Sequence, residues 1–413
     1  MLVRLSAMML LEFIVFGSWF ATLGLVLATY KLPTIIGDAY SLAAVAAIFS
    51  PLCLGAIGDR FLAAQKVLGL AHLVGGAFML FMPGLVQSGK GSSVLMLIFV
   101  YMLFFMPTLG LTNTIAFRHL EGNQRMFPYV RVFGTFGWVV AGIGVGALGL
   151  SASTGVFTVA GIASFVLAAY SFTLPSTPPP AKGEKFSIAD VFGAKAFVLF
   201  RHRNFTVLII CALLTSICLG VYNAFASPYL GALGISNVAG VLAIGQASEV
   251  IFIVTIPFVL SRIGMKWGLL AGMGMWGVRF LLFMLAAHGH AWFAIVGVAV
   301  QGICNDFFLI LSAMYIDRVA PVDLAAQAQG WLIMVISGFG GAIGGFVGGQ
   351  VYGAAVASHP DAGPTAWTPL WLVPIGAAIL TGILWVCFFR YSRREEIVRF
   401  DPAATGVADM TGL

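Results

Sequence analysis

Apolar residues in this chain come in runs of about 20, each long enough to cross the hydrocarbon core of a bilayer as a helix. Twelve such runs are legible: 5–30, 39–57, 65–86, 93–116, 128–150, 153–174, 204–226, 236–260, 267–287, 291–315, 325–352 and 366–389. Apolar and polar positions do not alternate in segments of about ten, which excludes a membrane β-barrel. The pattern predicts an all-α membrane protein with twelve transmembrane helices. Its longest polar stretch splits the runs six and six. The expected organisation is an N-terminal six-helix half (1–174), a cytoplasmic linker (175–203), a C-terminal six-helix half (204–390) and a cytoplasmic tail (391–413). Within the linker, Ser187 with Asp190 three residues on resembles a capping box. The helix expected next sets Phe192, Val198 and Phe200 beside Lys195 and Arg201, which suits a helix lying on the membrane surface.

Composition agrees. The chain is 60% hydrophobic and 9% charged, with a mean hydropathy of +1.02, whereas a soluble domain carries roughly a quarter charged residues. Placing the N-terminus in the cytoplasm puts eighteen of the twenty-one Lys and Arg on that side, leaving Lys31 and Lys90 outside and Arg279 within a run. That asymmetry predicts both termini inside. It also accounts for the net charge of +6 as topogenic charge facing anionic lipid rather than a nucleic-acid surface. The first run is too long for a cleavable signal, holds an acid and lacks a small-residue cleavage site. All five cysteines lie in the apolar runs, with no disulfide framework or zinc pattern. No metal or cofactor is expected.

Against this background the polar residues inside the runs stand out. Glu12, Glu249 and Asp306 sit in apolar segments, where an ionisable group marks an ion or substrate path or is held protonated by a neighbouring helix. A carboxyl group cut off from water loses the hydration of its charged form, so such an acid can exchange a proton near neutral pH. Amides and aromatics cluster beside the acids at helical spacing. Arg131, Thr135 and Trp138 lie at i, i+4 and i+7 in the fifth run. Gln246 precedes Glu249 by three residues, Gln301 and Asn305 lead into Asp306, and Asn223 lies in the seventh run. Amides to read polar edges and rings to stack on are what a flat, hydroxylated ligand needs. Bracing of helix contacts is the competing reading for any one of these residues.

The halves echo each other. Gly55-x-x-x-Asp59-Arg60 follows the second run, and Ser261-Arg262-Ile-Gly264-Met-Lys266 follows the eighth. Glycine ladders occupy the fifth run (Gly134 to Gly146) and the eleventh (Gly338 to Gly349). Small residues at these spacings let helices approach closely, and two repeated halves imply a midplane cavity between them.

At these positions the chain resembles the major facilitator superfamily, whose loop signature is Gly55-x-x-x-Asp59-Arg60. It is more specifically similar to the superfamily's nucleoside:proton symporters. The matching stretches are Phe16-Gly-Ser-Trp19, Thr22-Leu-Gly24, Met106 to Ile115, Arg131-Val-Phe-Gly-Thr135, Gln246-Ala-Ser-Glu249, Thr255-Ile-Pro-Phe258, Asp306-Phe-Phe308 and Ala328-Gln-Gly330, in order over nearly the whole chain. The resemblance implies a proton-driven nucleoside importer of the bacterial inner membrane, a monomer in the lipid bilayer with nucleoside and H+ as its partners. It places Arg131, Thr135, Asn223, Gln246, Glu249 and Asp306 at positions used for substrate or proton, and Asp59 and Arg60 in a gating loop. The chain departs from the family pattern at five positions. Glu12 stands where the pattern has Gln, leaving two roles open, contact with the ribose or carriage of a second proton. Gly220 replaces a Gln, Gln301 and Asn305 replace a Tyr and a Phe, and Trp138 replaces a Phe.

Other motifs carry less. Gly84 to Gly91 nearly spells a P-loop, but Gly91 stands where Ser or Thr would hold magnesium. His288 and His290 form a loop pair with no further ligands nearby. Arg279 is expected to anchor an acid or a backbone carbonyl. Two alternative functions stay open on the residues alone: a superfamily transporter for a sugar or another nucleoside-like metabolite, and an intramembrane enzyme.

Overall fold

The computed structural model describes residues 1–50, 62–120, 126–178, 193–321 and 324–390, and the regular structure among them is helical. The Asp59–Arg60 loop, the Ser187 and Asp190 pair, Phe192 and the tail lie outside the described residues. In chain order the helices are α1 (Leu2–Thr29), α2 (Pro33–Ser50), α3 (Ala64–Gln87), α4 (Gly91–His119), α5 (Phe127–Ala147), α6 (Gly155–Ser171), α7 (Arg203–Ala232), α8 (Val238–Arg262), α9 (Gly264–Ala286), α10 (Trp292–Ala299 with Gln301–Val319), α11 (Ala325–Ala357) and α12 (Pro364–Phe388). Ten are long and apolar enough to span a membrane, and the two pieces of α10, bent by 40°, make an eleventh if taken as one span. The remaining run appears as α6, a shorter apolar helix of 17 residues. Large apolar side chains such as Phe81 and Met96 are exposed, as suits contact with lipid rather than water.

Helix ends and breaks follow local chemistry. Asn237 caps α8 by accepting from Gly240 N at 3.0 Å, the usual service of an N-cap amide. Between its helical pieces Leu2–Trp19 and Leu23–Thr29, α1 breaks. Tyr40 of α2 closes the break: its hydroxyl donates to Phe20 O at 2.6 Å and accepts from Gly24 N at 3.4 Å. Irregular backbone at membrane depth needs such partners. In α10 the break at Val300 is followed by a wide π-type turn over Asp306–Ile310, and α11 carries another over Met334–Gly340. Turns of this kind cluster at functional sites.

Two groups of helices result. In the first, α1 packs on α5 and α6, α3 on α4 and α6, and α2 on α4; in the second, α7 packs on α11 and α12, α9 on α10 and α12, and α8 on α10. The groups meet where α2 lies against α11, α5 against α8, and the second piece of α1, Leu23–Thr29, against α7. The groups also touch closely toward the end of the bundle where α1, α5, α7 and α11 finish. There a Cβ on Gly37 would lie 2.5 Å from Gly345 O, well inside contact distance, so only glycine allows that approach. Ser41 Oγ donates to Ala342 O at 2.8 Å, and Leu25 N donates to Ser227 Oγ at 3.2 Å. Before α7, the 3-10 helix Ala194–Arg201 docks on the start of α11: Trp331 Nε1 donates to Gly193 O, and Phe197 and Phe200 pack on the Trp331 ring.

Candidate functional site

Where the two groups meet, a cavity of roughly 370 Å³, counted with the solvent space at its mouth, is lined by Phe20, Ala21, Trp138, Tyr222, Asn223, Ala226, Leu242, Gln246 and Gln301. Its walls come from α1, α5, α7, α8 and α10, and the broken backbone of α1 contributes Phe20 and Ala21. The lining alternates in chemistry: rings at Phe20, Trp138 and Tyr222, amides at Asn223, Gln246 and Gln301. A flat heteroaromatic ligand with polar edges matches such a surface.

Behind Gln301 lies a connected polar network. Glu249 Oε1 accepts from Gln301 Nε2 at 3.0 Å and from Asn305 Nδ2 at 2.7 Å. Gln301 Oε1 in turn accepts from Arg279 Nη2 at 3.3 Å. Arg279 is fully buried. Its Nε donates to Gly297 O at 2.7 Å and its Nη2 to Val298 O at 3.3 Å, two carbonyls beside the break in α10. The guanidinium also lies 4.0 Å from the centroid of the Tyr222 ring and 4.8 Å from that of Trp276, a geometry that favours a desolvated cation. The sequence expectation for Arg279 is met in its carbonyl form.

Four of the residues singled out from sequence line the cavity: Trp138, Asn223, Gln246 and Gln301. Glu249 and Asn305 join them through hydrogen bonds. Arg131 stacks on Phe13 at 4.5 Å and lies within electrostatic reach of Glu249. Thr135 is half-buried, one turn from both Arg131 and Trp138. Asp306 is buried beside this network, and its Oδ2 has no hydrogen-bond partner among the described residues. Glu12 stands apart, enclosed by α1, α3 and α4 with His72 and Thr108. Sequence reasoning misses Phe20 and Tyr222. In a chain with 35 Phe and 10 Tyr a ring does not stand out, although the match at Phe16 to Gly24 brackets Phe20. No group of three or more metal-ligating residues occurs among the described residues.

Comparison with known proteins decides the family. The family model described as "Nucleoside H+ symporter" matches residues 1–394. The chain belongs to the nucleoside H+ symporter family. Among relatives of this symporter, the nucleoside permease NupG of Escherichia coli (strain K12) is 30% identical over 94% of this chain and 96% of its own. The xanthosine permease of the same organism is 29% identical over 96% and 97%. A crystal structure of the nucleoside transporter NupG superposes with a TM-score of 0.83 at 28% identity, covering 95% of this symporter and 99% of that chain. A peptide transporter POT structure, at 12% identity and a TM-score of 0.72, shares the fold alone.

Proposed function

We infer that this chain is a proton-coupled nucleoside transporter, a multi-pass protein of the inner membrane and not an enzyme. Family membership carries the reaction class. The observation that carries the site is the cavity wall of rings and amides backed by the Glu249 network. In this reading the base stacks on Trp138, with Phe20 and Tyr222 completing the aromatic wall. Asn223, Gln246 and Gln301 read the base edge and ribose hydroxyls, Arg131 and Thr135 extend the site along α5, and Asn305 acts through Glu249.

Glu249 and Asp306 carry the coupling proton. An ionised Glu249 holds both amides of α10 as an acceptor, and a proton on it weakens that hold, so Gln301 is released to the ligand. Proton and nucleoside then favour the same closed arrangement, which is how one site couples two ligands. Halves 1–174 and 204–390 rock about the cavity as a twelve-span monomer, with Asp59 and Arg60 as a gate. With both termini in the cytoplasm the pinched end is the outer one, and transport runs inward.

The test is uptake by proteoliposomes. Labelled uridine or adenosine enters when an inward proton gradient is imposed and stops when an uncoupler is added. Nucleosides compete, whereas free sugars do not. Uptake indifferent to the gradient would sink symport, and stronger competition by a sugar would sink nucleoside as the substrate.

A further inference from the structure

The N-terminal group holds a second acid in a built environment, away from the cavity. Glu12 of α1 is fully buried, and its two carboxyl oxygens take different partners. Oε2 lies 2.9 Å from Nε2 of His72 on α3, itself 2% exposed, and Oε1 accepts a 2.6 Å hydrogen bond from the Thr108 hydroxyl on α4. Three helices converge on one carboxyl group. Burying two such polar, ionisable side chains together is costly, and their contact is weak evidence for stability alone. A carboxyl and an imidazole in contact are instead suited to taking up and releasing a proton.

The surroundings bear on that proton. Tyr101 of α4 and Arg131 of α5 lie within electrostatic reach of Glu12. The titratable side chain of α6 is Tyr170, near its far end, where it donates to the backbone of Arg4. The remaining charges of α1 and α3, Arg4 and Lys66, lie near the starts of those helices. Arg131 is thus within reach of two acids, Glu12 in one group of helices and Glu249 in the other.

A packed route leads from this pair to the cavity wall. The His72 ring meets Phe105 edge-on at 6.0 Å, Phe105 lies 4.8 Å from Phe16, and Phe16 lies 4.9 Å from Trp138 and 4.6 Å from Phe20. Glu12, Phe16 and Phe20 are spaced i, i+4 and i+8, one stripe of α1. A change of charge at Glu12 therefore bears directly on the rings against which a ligand would lie.

We propose that Glu12 and His72 form a second proton site, loaded together with the nucleoside, so that each nucleoside crosses with two protons. The proposal rests on the symport reading and extends it to the N-terminal helices. One proton binds at this pair and the other at the acids of α8 and α10, and both leave on the far side as the pair and the acids reopen.

Stoichiometry tests it. In proteoliposomes of the full chain, the slope of log accumulation against imposed proton-motive force reads the protons carried per nucleoside. At about 59 mV, a tenfold factor per unit charge, the native protein accumulates about 100-fold, and Glu12→Gln and His72→Gln each about tenfold. Nucleoside counterflow without a gradient stays within about twofold of native in both, since neither residue lines the cavity, and this reports that they fold and bind. A native slope of zero would sink the symport reading itself. A native slope of one, or a slope of two kept by both variants, would sink the second site only. Thr108→Val guards against a merely structural role. If it and both other variants lose counterflow, the cluster is a brace and the proposal fails.

Discussion

Arg279 and Glu249 are joined through a single side chain, that of Gln301. Its amide oxygen accepts from the guanidinium at 3.3 Å while its amide nitrogen donates to the carboxyl group at 3.0 Å. Gln301 also lines the cavity. Any ligand that draws on this amide disturbs the hold of a buried cation and an acid at once. Double mutation is the way to apportion such a network, because its members are not additive.

Glu249→Gln and Asp306→Asn are each expected to remove the proton carried by α8 and α10, so that accumulation at about 59 mV falls from about 100-fold to the tenfold that the Glu12–His72 proton alone supports. At least one of them keeps counterflow, since the amide can replace the protonated acid in shape and hydrogen bonding. The measurement is paired, accumulation under a gradient and exchange without one. Normal accumulation by both variants would place the coupling proton elsewhere.

The pinched end of the bundle offers a conformational test. Gly37→Ala sets a methyl group 2.5 Å from Gly345 O and from Gly349 Cα, and backbone atoms of packed helices have little room to yield. The substitution should hold α2 and α11 apart and cut uptake at least tenfold. A cysteine pair introduced at Ser41 and Ala342, which are in hydrogen-bond contact, reports the approach by cross-linking. Cross-linking that is equal with and without the Gly37→Ala substitution would show that this approach does not hold the closed end.

Much of this arrangement is legible in the sequence, and the reasons are specific. Gln246, Glu249, Gln301 and Asn305 are visible because an amide or acid in an apolar helix is rare enough to need a purpose. Helical spacing puts Gln246 with Glu249 on one face of α8 and Gln301 with Asn305 on one face of α10, but the contacts of Glu249 with Gln301 and Asn305 come from the fold, which sets the two helices together. His72 is not legible: it is one scattered histidine until the fold brings α3 to α1 and sets its ring against Glu12. The breaks in α1 and α10 are hidden as well. No proline lies at Phe20 to Thr22 or at Val300, and the partners that satisfy those breaks, Tyr40 and Arg279, come from other helices. The apolar runs give the helices their places, but 17-residue α6 shows that a run of residues does not fix the length of the helix within it.

In the proposed site, specificity rests on the rings and amides of the cavity wall. Trp138→Ala removes a stacking wall that packs edge-on with Phe16. An aromatic pair contributes about 0.5–1.5 kcal/mol beyond area burial, so affinity for every nucleoside should fall by at least several-fold. Gln301→Tyr with Asn305→Phe restores the rings of the family pattern and removes the two amides that Glu249 holds. The rank order of purine and pyrimidine nucleosides in competition should change. An unchanged order would show that these positions do not read the ligand, while symport could stand.

Arg279→Lys is the most exacting test of how the cavity is built. The native side chain makes three contacts that share one planar fork: Gly297 O, Val298 O and Gln301 Oε1. It also lies over the Tyr222 ring, a cavity wall. Lysine keeps the charge but is a point donor on a flexible stem, and it cannot reproduce the fork or the stacking. At least one carbonyl beside the α10 break is then left without its donor, and hydrogen bonds to charged groups are each worth about 1.5–3 kcal/mol. Purified Arg279→Lys should melt several degrees below the native protein, and its half-saturating nucleoside concentration should rise about tenfold because Gln301 and Tyr222 lose their support. Melting curves with and without nucleoside separate the two effects. If both the melting point and the nucleoside-induced shift matched native values, the guanidinium would not be the brace of the α10 break, and the cavity would owe its shape to helix packing alone.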